Sequence, residues 1–287
     1  MYKVFIINLD SQPRRWAFME KQFSLLGMAV ERIPAVNGYD RNNIINAPVA
    51  SYSFLPDGEV GCFESHRKAW KRIVDEDLPG AFVLEDDVVV SSDFKNLNIE
   101  KLPLNRVDII KLDTCTWTAS YGDVVARTPE NREFRPLLGC ETSAGCYFVT
   151  QAGARKLLAG TRNYFEPVDT MMFNMGSKLF YQVSILKILP AAAAQLRFIK
   201  KNEELGAEVR FSMQEKRRVG IDPRNKRSVY RSLKLYGRRL KDWDFSAVRK
   251  KRQADYLKRF PPAVKAEVVV FQTRSSAHID QSLGLLD

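Results

Sequence analysis

At 287 residues, 45% hydrophobic and 28% charged, the chain can bury one large α/β core with an appendage, and it is too apolar to be disordered throughout. The formal net charge of +11 is unevenly spread: residues 197–260 hold 21 Lys and Arg against 8 Asp and Glu, and the rest of the chain holds 24 against 26. No apolar run approaches the roughly 20 residues of a spanning helix, because Lys187 and Pro190 interrupt the longest candidate at 183–196, so any membrane contact is expected to be peripheral.

Residues 3–9 (KVFIINL) are a β-branched and aromatic run of the kind that forms a buried strand. Asp10 and Ser11 are placed to cap a following helix in which Pro13 suits the first turn and Trp16, Met19, Phe23 and Leu26 recur at helical spacing up to Gly27. A short strand at 30–33 completes a β-α-β opening, and 37–58 is rich in turn residues. From Glu59 to Pro79 the pattern predicts a helix burying Phe63, Ala69, Trp70, Ile73 and Val74. An apolar strand at 81–84 then runs straight into Glu85-Asp86-Asp87. Further buried strands are expected at 107–112 and 145–150, helices at 152–158 and 167–173, and a late strand at 181–189. This alternation predicts an α/β sheet between helices, with its ligand crevice at the carboxyl ends of the strands, where the 8–10 and 85–87 segments share a rim.

Cys62, Cys115, Cys140 and Cys146 form no C-x-x-C pair and have no zinc-finger histidines nearby, so they are expected to be reduced core thiols, with a Cys140–Cys146 disulfide only in an oxidising compartment. The segment at residue 3 reads as strand, not as a basic-then-apolar leader, which makes the cytoplasm the expected compartment. In the basic stretch, Val229, Leu233, Tyr236, Leu240 and Trp243 follow helical spacing, giving one apolar face and one Arg/Lys face suited to anionic lipid.

Three adjacent carboxylates raise one another's pKa unless a cation neutralises them, and a hard divalent ion shared with a diphosphate would do so. The alternative is a loop or helix cap. His66 reads either as a buried hydrogen-bonding residue or as part of a site; His278 gives no signal. Arg14 and Arg15, at a helix start, are equally phosphate donors or solvated surface. Asp169, in PVDTMMF, is either a helix-start acid or a general base. No phosphate loop, G-x-S-x-G elbow or dinucleotide fingerprint occurs.

Taken in order, VFIINLDSQPRR, ERIPAVNG, GEVGCFESHRKAWKRIVDEDLPGAFVLEDDVVVSSDF, DIIKLD and GCYFVTQAGARKLL followed by PVD resemble glycosyltransferase family 25, the lipooligosaccharide galactosyltransferase-like enzymes, over roughly the first 190 residues. The resemblance implies a GT-A-type, Rossmann-like mixed sheet flanked by helices, spanning 1–196, with 197–287 a basic, mainly helical appendage. It implies inverting transfer of a hexose, expected to be galactose, from a UDP-sugar to a growing lipopolysaccharide or lipooligosaccharide glycan. Mn²⁺ or Mg²⁺ is the implied cofactor. Asp87 is then the direct metal ligand, Asn8, Asp10, Arg14, His66, Glu85 and Asp86 approach the nucleotide sugar, and Asp169 is the base. Glu64 stands where family members commonly carry a hydrophobic residue, and no third metal ligand is assignable late in the chain. The implied partners are the donor, a lipid-linked oligosaccharide acceptor and the anionic inner leaflet, met through 197–260; specific nucleic-acid binding is not expected. The competing readings are a nucleic-acid-binding protein using the basic stretch, for which its charge suffices, and a catalytically inactive sugar-nucleotide-binding scaffold.

Overall fold

The computed structural model describes residues 2–51, 53–115, 119–196 and 262–266. The basic stretch at 197–260 with its amphipathic pattern, and His278, lie outside them. The β-α-β opening forms as its periodicity predicts: β1 (Lys3–Asn8), α1 (Pro13–Leu25) and β2 (Glu31–Pro34). One local expectation fails. The α1 N-cap position is Gln12, which makes no side-chain cap bond, and the Asp10 carboxylate pairs with Arg32 at 2.5 Å instead of capping the helix. An ion pair to a cation on the neighbouring strand wins over a weak local cap.

A short α2 (Arg41–Ile44), capped by Asp40, leads to α3 (Asp57–Asp75). This helix starts two residues before Glu59, with Asp57 and Glu59 in the first turn where the helix dipole favours acids. Its buried face carries Val60, Phe63, Ala69, Trp70 and Ile73, the stripe that 3.6-residue spacing predicts. Next come β3 (Gly80–Glu85), β4 (Val88–Val90), β5 (Ile109–Lys111), β6 (Asp113–Thr114), β7 (Ala119–Gly122), β8 (Ala126–Arg127), β9 (Glu133–Pro136) and β10 (Cys146–Thr150). Then α4 (Gln151–Gly160), α5 (Val168–Phe173), β11 (Ile185–Leu189), β12 (Ala193–Gln195) and β13 (Pro262–Ala266) follow.

The fold is mixed α/β. Eight strands form one sheet in the order β2-β1-β3-β10-β5-β11-β9-β8. β2, β1, β3, β5 and β11 all point the same way, β10 runs antiparallel between β3 and β5, and β9 is antiparallel to both β11 and β8. Alternate side chains of each strand feed opposite faces. Phe5, Ile7, Val83, Ile109, Tyr147 and Val149 pack under α3, α4 and α5. Val4, Ile6, Phe82, Leu84, Ile110 and Phe148 pack under α1 and β4. A second sheet, β4-β12-β6, sits against that other face, and β13 pairs antiparallel with β7. Among the described residues no helix is long and apolar enough to cross a membrane.

The cysteines are free, yet only Cys115 and Cys146 are core thiols; Cys62 is half-buried and Cys140 exposed. Cys140 sits in the irregular segment before β10, where its thiol meets the side-chain oxygen of Asn174 at 3.4 Å rather than apolar neighbours.

The loop after β2 crosses the first turns of α3 at Gly38 and Gly61. A Cβ on Gly61 would stand 2.5 Å from the Gly38 amide nitrogen and 2.6 Å from the Val36 carbonyl oxygen. Gly61→Ala therefore forces the loop and helix apart. It is expected to lower unfolding free energy by about 1–3 kcal/mol, the usual cost of overpacking, read from the midpoint of a urea titration.

Candidate functional site

The acidic run sits where the two sheets part. Glu85 ends β3, Asp86 and Asp87 form the turn, and Val88 opens β4 in the second sheet. Because β1 and β3 are parallel, Asn8 and Glu85 reach the same rim. They line or support a cleft of about 330 Å³ bounded by Gln12 and Arg15 of the first βα connection, Val36–Tyr39 after β2, Cys62 and His66 of α3, and Glu85, Asp86 and Asp87. A larger hollow of about 750 Å³, lined by Asp108, Lys156 and Ser184, lies at the opposite, amino ends of β5 and β11. There Asp108 is already committed, accepting from Lys156 at 2.7 Å and the Ser184 amide at 2.8 Å. The cleft at the carboxyl ends is the candidate site.

The three carboxylates have different surroundings. Asp86 accepts from Asn8 Nδ2 at 2.7 Å and Arg15 Nη1 at 2.9 Å. Burial pushes its carboxyl above the usual range, and Arg15 and Asn8 oppose that rise. Asn8 is itself fixed by Arg32, whose Nε donates to Asn8 Oδ1 at 2.9 Å. Glu85 meets the Gln195 amide, Nε2 to Oε2 at 2.5 Å, on one side, and His66 Nε2 at 3.5 Å with Cys62 Sγ at 3.8 Å on the other. Asp87 accepts from the same Gln195 amide at 3.3 Å, and its backbone carbonyl takes the Leu196 N–H at 2.8 Å.

Trp70 Nε1 donates to the Tyr147 hydroxyl at 2.7 Å, and His66 Nδ1 lies 2.9 Å from the same hydroxyl, so the buried imidazole is held with Nε2 toward Glu85. Cys62, His66 and Glu85 do bring one sulfur, one nitrogen and one oxygen within 4.8 Å of each other. That mixed set includes softer sulfur and nitrogen donors than the all-oxygen sets that Mg²⁺ and Mn²⁺ prefer. Glu85 and Asp87, two carboxylates drawn together on one amide, are the hard-oxygen pair that fits Mg²⁺ or Mn²⁺.

Behind this rim lies a dry charge cluster that the sequence reading passed over. Lys111 and Lys187 are register partners on β5 and β11, and both are fully buried with Asp113 and Glu141. Lys111 donates to Asp113 at 2.6 Å and to the Ser143 carbonyl at 2.6 Å; Lys187 donates to Glu141 at 2.6 Å and to the Asp113 carbonyl. Burial opposes the charge of both lysines. At Lys111 the attraction of Asp113 and Glu141 outweighs it and the pKa rises, whereas at Lys187 burial prevails and the pKa falls. Ser143 holds a φ of +134°, a strained value for a residue with a Cβ, and its hydroxyl donates to Asp113. The lysines in VDIIKL and ILKIL, flanked by apolar residues on both sides, were the available signal: a lone Lys inside a buried-strand pattern needs a buried carboxylate.

Of the residues expected in the site, Asn8, His66, Glu85, Asp86 and Asp87 come together, and three, Asp10, Arg14 and Asp169, do not join them. Asp10 projects outward, its side chain 82% exposed. Arg14 is exposed on α1 while its neighbour Arg15 turns inward to Asp86, because successive helix positions differ by about 100° and only one of the pair can face β3. Asp169 lies in the first turn of α5, half-buried, accepting the Thr170 amide at 2.7 Å, and it does not line the cleft. Glu64 is also part-buried, within 3.3 Å of Arg67, and burial raises its carboxyl pKa.

The profile of Glycosyltransferase family 25 (LPS biosynthesis protein) matches residues 1–172. The lacto-N-neotetraose biosynthesis glycosyltransferase LgtE of Neisseria meningitidis serogroup B is 27% identical over 283 residues, covering 89% of this chain and 96% of the relative. The lipooligosaccharide biosynthesis protein lic2B of Haemophilus influenzae is 25% identical over 197 residues, covering 64% and 74%. A mouse protein described as inactive glycosyltransferase 25 family member 3 is 29% identical over 188 residues, covering 59% of this chain and 30% of its own length.

The Arg15–Asp86 pair yields a test. Arg15→Leu leaves a buried carboxylate facing only Asn8 and its dipole, and breaking such a pair costs about 3 kcal/mol. Asp86 already titrates above its unfolded value, so it binds a proton more readily folded than unfolded, and its contribution to stability declines as pH rises through that window. Removing Arg15 raises it further. The loss in the variant is therefore expected to be largest at neutral pH and to shrink as pH falls toward the usual carboxylate range, measured as urea midpoints at several pH values.

Proposed function

Since the chain belongs to glycosyltransferase family 25, we propose that it transfers a hexose, galactose by expectation, from a UDP-sugar to a growing lipopolysaccharide or lipooligosaccharide glycan, with inversion at the anomeric carbon. The names of LgtE and lic2B support the acceptor class. The observation that carries the reading is the placement of Glu85 and Asp87 on the rim of the cleft, with Asp86 between them paired to Arg15. In this reading the arrangement is GT-A-type, and Glu85 and Asp87 hold Mn²⁺ or Mg²⁺. Bound there, the ion supplies Lewis acidity toward the diphosphate as it departs.

The protein's own groups do the rest. Arg15 is close enough to the rim to meet phosphate oxygens while it holds Asp86, and Arg32 fixes Asn8 so that the turn cannot swing away. The His66 imidazole, with Nε2 at 3.5 Å from its carboxylate, steadies Glu85. The acceptor hydroxyl attacks the anomeric carbon as the bond to the diphosphate oxygen breaks, and the hydroxyl proton passes to a carboxylate. Asp169 is assigned that task, on the support of its half-buried position at the start of α5, next to α3. The 197–260 stretch, with its excess of Lys and Arg, is assigned to docking on the anionic inner leaflet.

Transfer from UDP-galactose is expected only with Mn²⁺ or Mg²⁺ present, and Asp87→Ala should cut it by about 10³-fold, a loss of several kcal/mol. Activity unchanged in excess chelator overturns the metal role. Asp169→Asn should lower kcat by about 10²–10⁴-fold without weakening donor binding. The mouse relative's description as inactive favours a second reading, a binding protein of the same fold. Thermal stabilisation by a UDP-sugar without turnover on any acceptor tested would select it.

A further inference from the structure

One residue of the cleft's acidic corner comes from the segment after the family match. Gln195 ends β12, opposite Val88 in register, so the pairing of β4 and β12 fixes its backbone beside Asp87. It is 4% exposed. Its side chain reaches both carboxylates of the corner, and its far amide atom, Oε1, lies 3.2 Å from Ser143 Oγ. Space for this approach is made by Gly145, where a Cβ would stand 2.8 Å from Gln195 Cγ.

The hydrogen-bond arithmetic around that amide is unequal at its two ends. Ser143 has one hydroxyl proton, and it goes to Asp113, a carboxylate and so the stronger acceptor. Ser143 Oγ is also within donating distance of Gln195 Oε1, at 3.2 Å, but its single proton serves one of the two acceptors at a time. The reversed amide resolves this end: Nε2 would donate to Ser143 Oγ, which has a lone pair to accept it. But reversal turns Oε1 toward Glu85 and Asp87, and an amide acceptor oxygen is held beside two carboxylates by a cation shared among them. The corner is therefore balanced between two states. Without a cation the amide N–H₂ spans the carboxylates; with one, the same side chain can turn over and present oxygen.

Resting on the metal-dependent reading above, we infer that Gln195 is the third oxygen ligand, with Glu85 and Asp87, of the divalent cation, and that Ser143 receives its amide N–H₂ when the cation binds. Gln195 thus acts as an exchangeable counter-charge. A neutral amide is suited to this role, since it can donate or accept by a half-turn about its last bond, which neither a lysine nor a carboxylate can do.

The test is isothermal titration of the full chain with MnCl₂, without nucleotide, comparing the unaltered protein with Asp87→Asn, Gln195→Leu, Gln195→Glu and Ser143→Ala. Gln195→Leu keeps the length and loses the oxygen, and is expected to weaken Mn²⁺ binding at least tenfold, on the order of about 10–100-fold seen when groups holding a metal site are removed. Gln195→Glu keeps an oxygen and adds charge, and is expected to bind at least as tightly as the unaltered protein. Ser143→Ala leaves Gln195 in place but takes away the acceptor for its turned amide, and should weaken binding about tenfold. A spacer role predicts otherwise: Gln195→Glu would push the carboxylates apart and bind as poorly as Gln195→Leu, which overturns the inference, as does unchanged affinity in Gln195→Leu. Should both Gln195 variants fail to fold, unchanged affinity in Ser143→Ala overturns it. No Mn²⁺ binding by the unaltered protein removes the metal reading and this inference together. Binding that is lost in Asp87→Asn but kept in Gln195→Leu leaves the metal reading standing and removes this inference alone.

Discussion

Three carboxylates in succession at the end of a buried strand repel one another, and the structure around β3 can be read as the means of holding them. Each is met in a different way. Asp86 is turned back to a guanidinium on α1 and an amide on β1. Glu85 lies between the His66 imidazole and a primary amide, and Asp87 shares that amide. The partners come from α1, α3 and β12, so the turn at 86–87 ties together helices from both faces of the large sheet and the strand that joins the small one. The Arg15 guanidinium pairs with the middle acid and its charge also reaches Glu85 and Asp87, so one cation serves the whole corner.

The cluster of Lys111, Lys187, Asp113 and Glu141 gives the corner a rigid back wall. Four charges without access to water are costly to bury, and such a group is held only when every hydrogen-bonding position is filled. Here Asp113 ties into Ser143 and the Gly145 amide, and Glu141 also accepts from Tyr121 at 2.9 Å. The segment from Glu141 to Gly145 is thereby fastened to the ends of β5 and β11, and Ser143 is kept at its strained φ. Strain of that kind persists only where the surroundings over-determine it, and in this chain those surroundings abut the candidate site.

The fold was legible wherever one strand or helix carries its own signal. The runs at 3–9 and 81–84, and the stripe of Phe63, Ala69, Trp70 and Ile73, are local patterns that declare a buried strand or helix face. The acidic run was visible for the same reason. Val88-Val89-Val90 was also a β-branched run, but it was overshadowed by the charges before it, and β6, β8 and β12 are two or three residues long and have no periodicity to read. What sequence could not supply is pairing at a distance. Nothing in the dipeptide Arg14-Arg15 says which arginine faces β3; that depends on the helix phase set by Phe18, Met19 and Phe23. Gln195 was invisible for a stronger reason, since it lies 110 residues from Glu85 and reaches it only through the pairing of β12 with β4.

The family match ends at residue 172, yet the site does not. Lys187 and Gln195, contributed by β11 and β12, supply one of the two cations of the back wall and the amide of the corner. A chain ending at the match would leave Glu141 and the pair Glu85 and Asp87 without these partners, a cost that buried carboxylates rarely tolerate. The segment from 173 to 196 is therefore tied to the candidate site by charge and hydrogen bonding beyond the point where the family match ends.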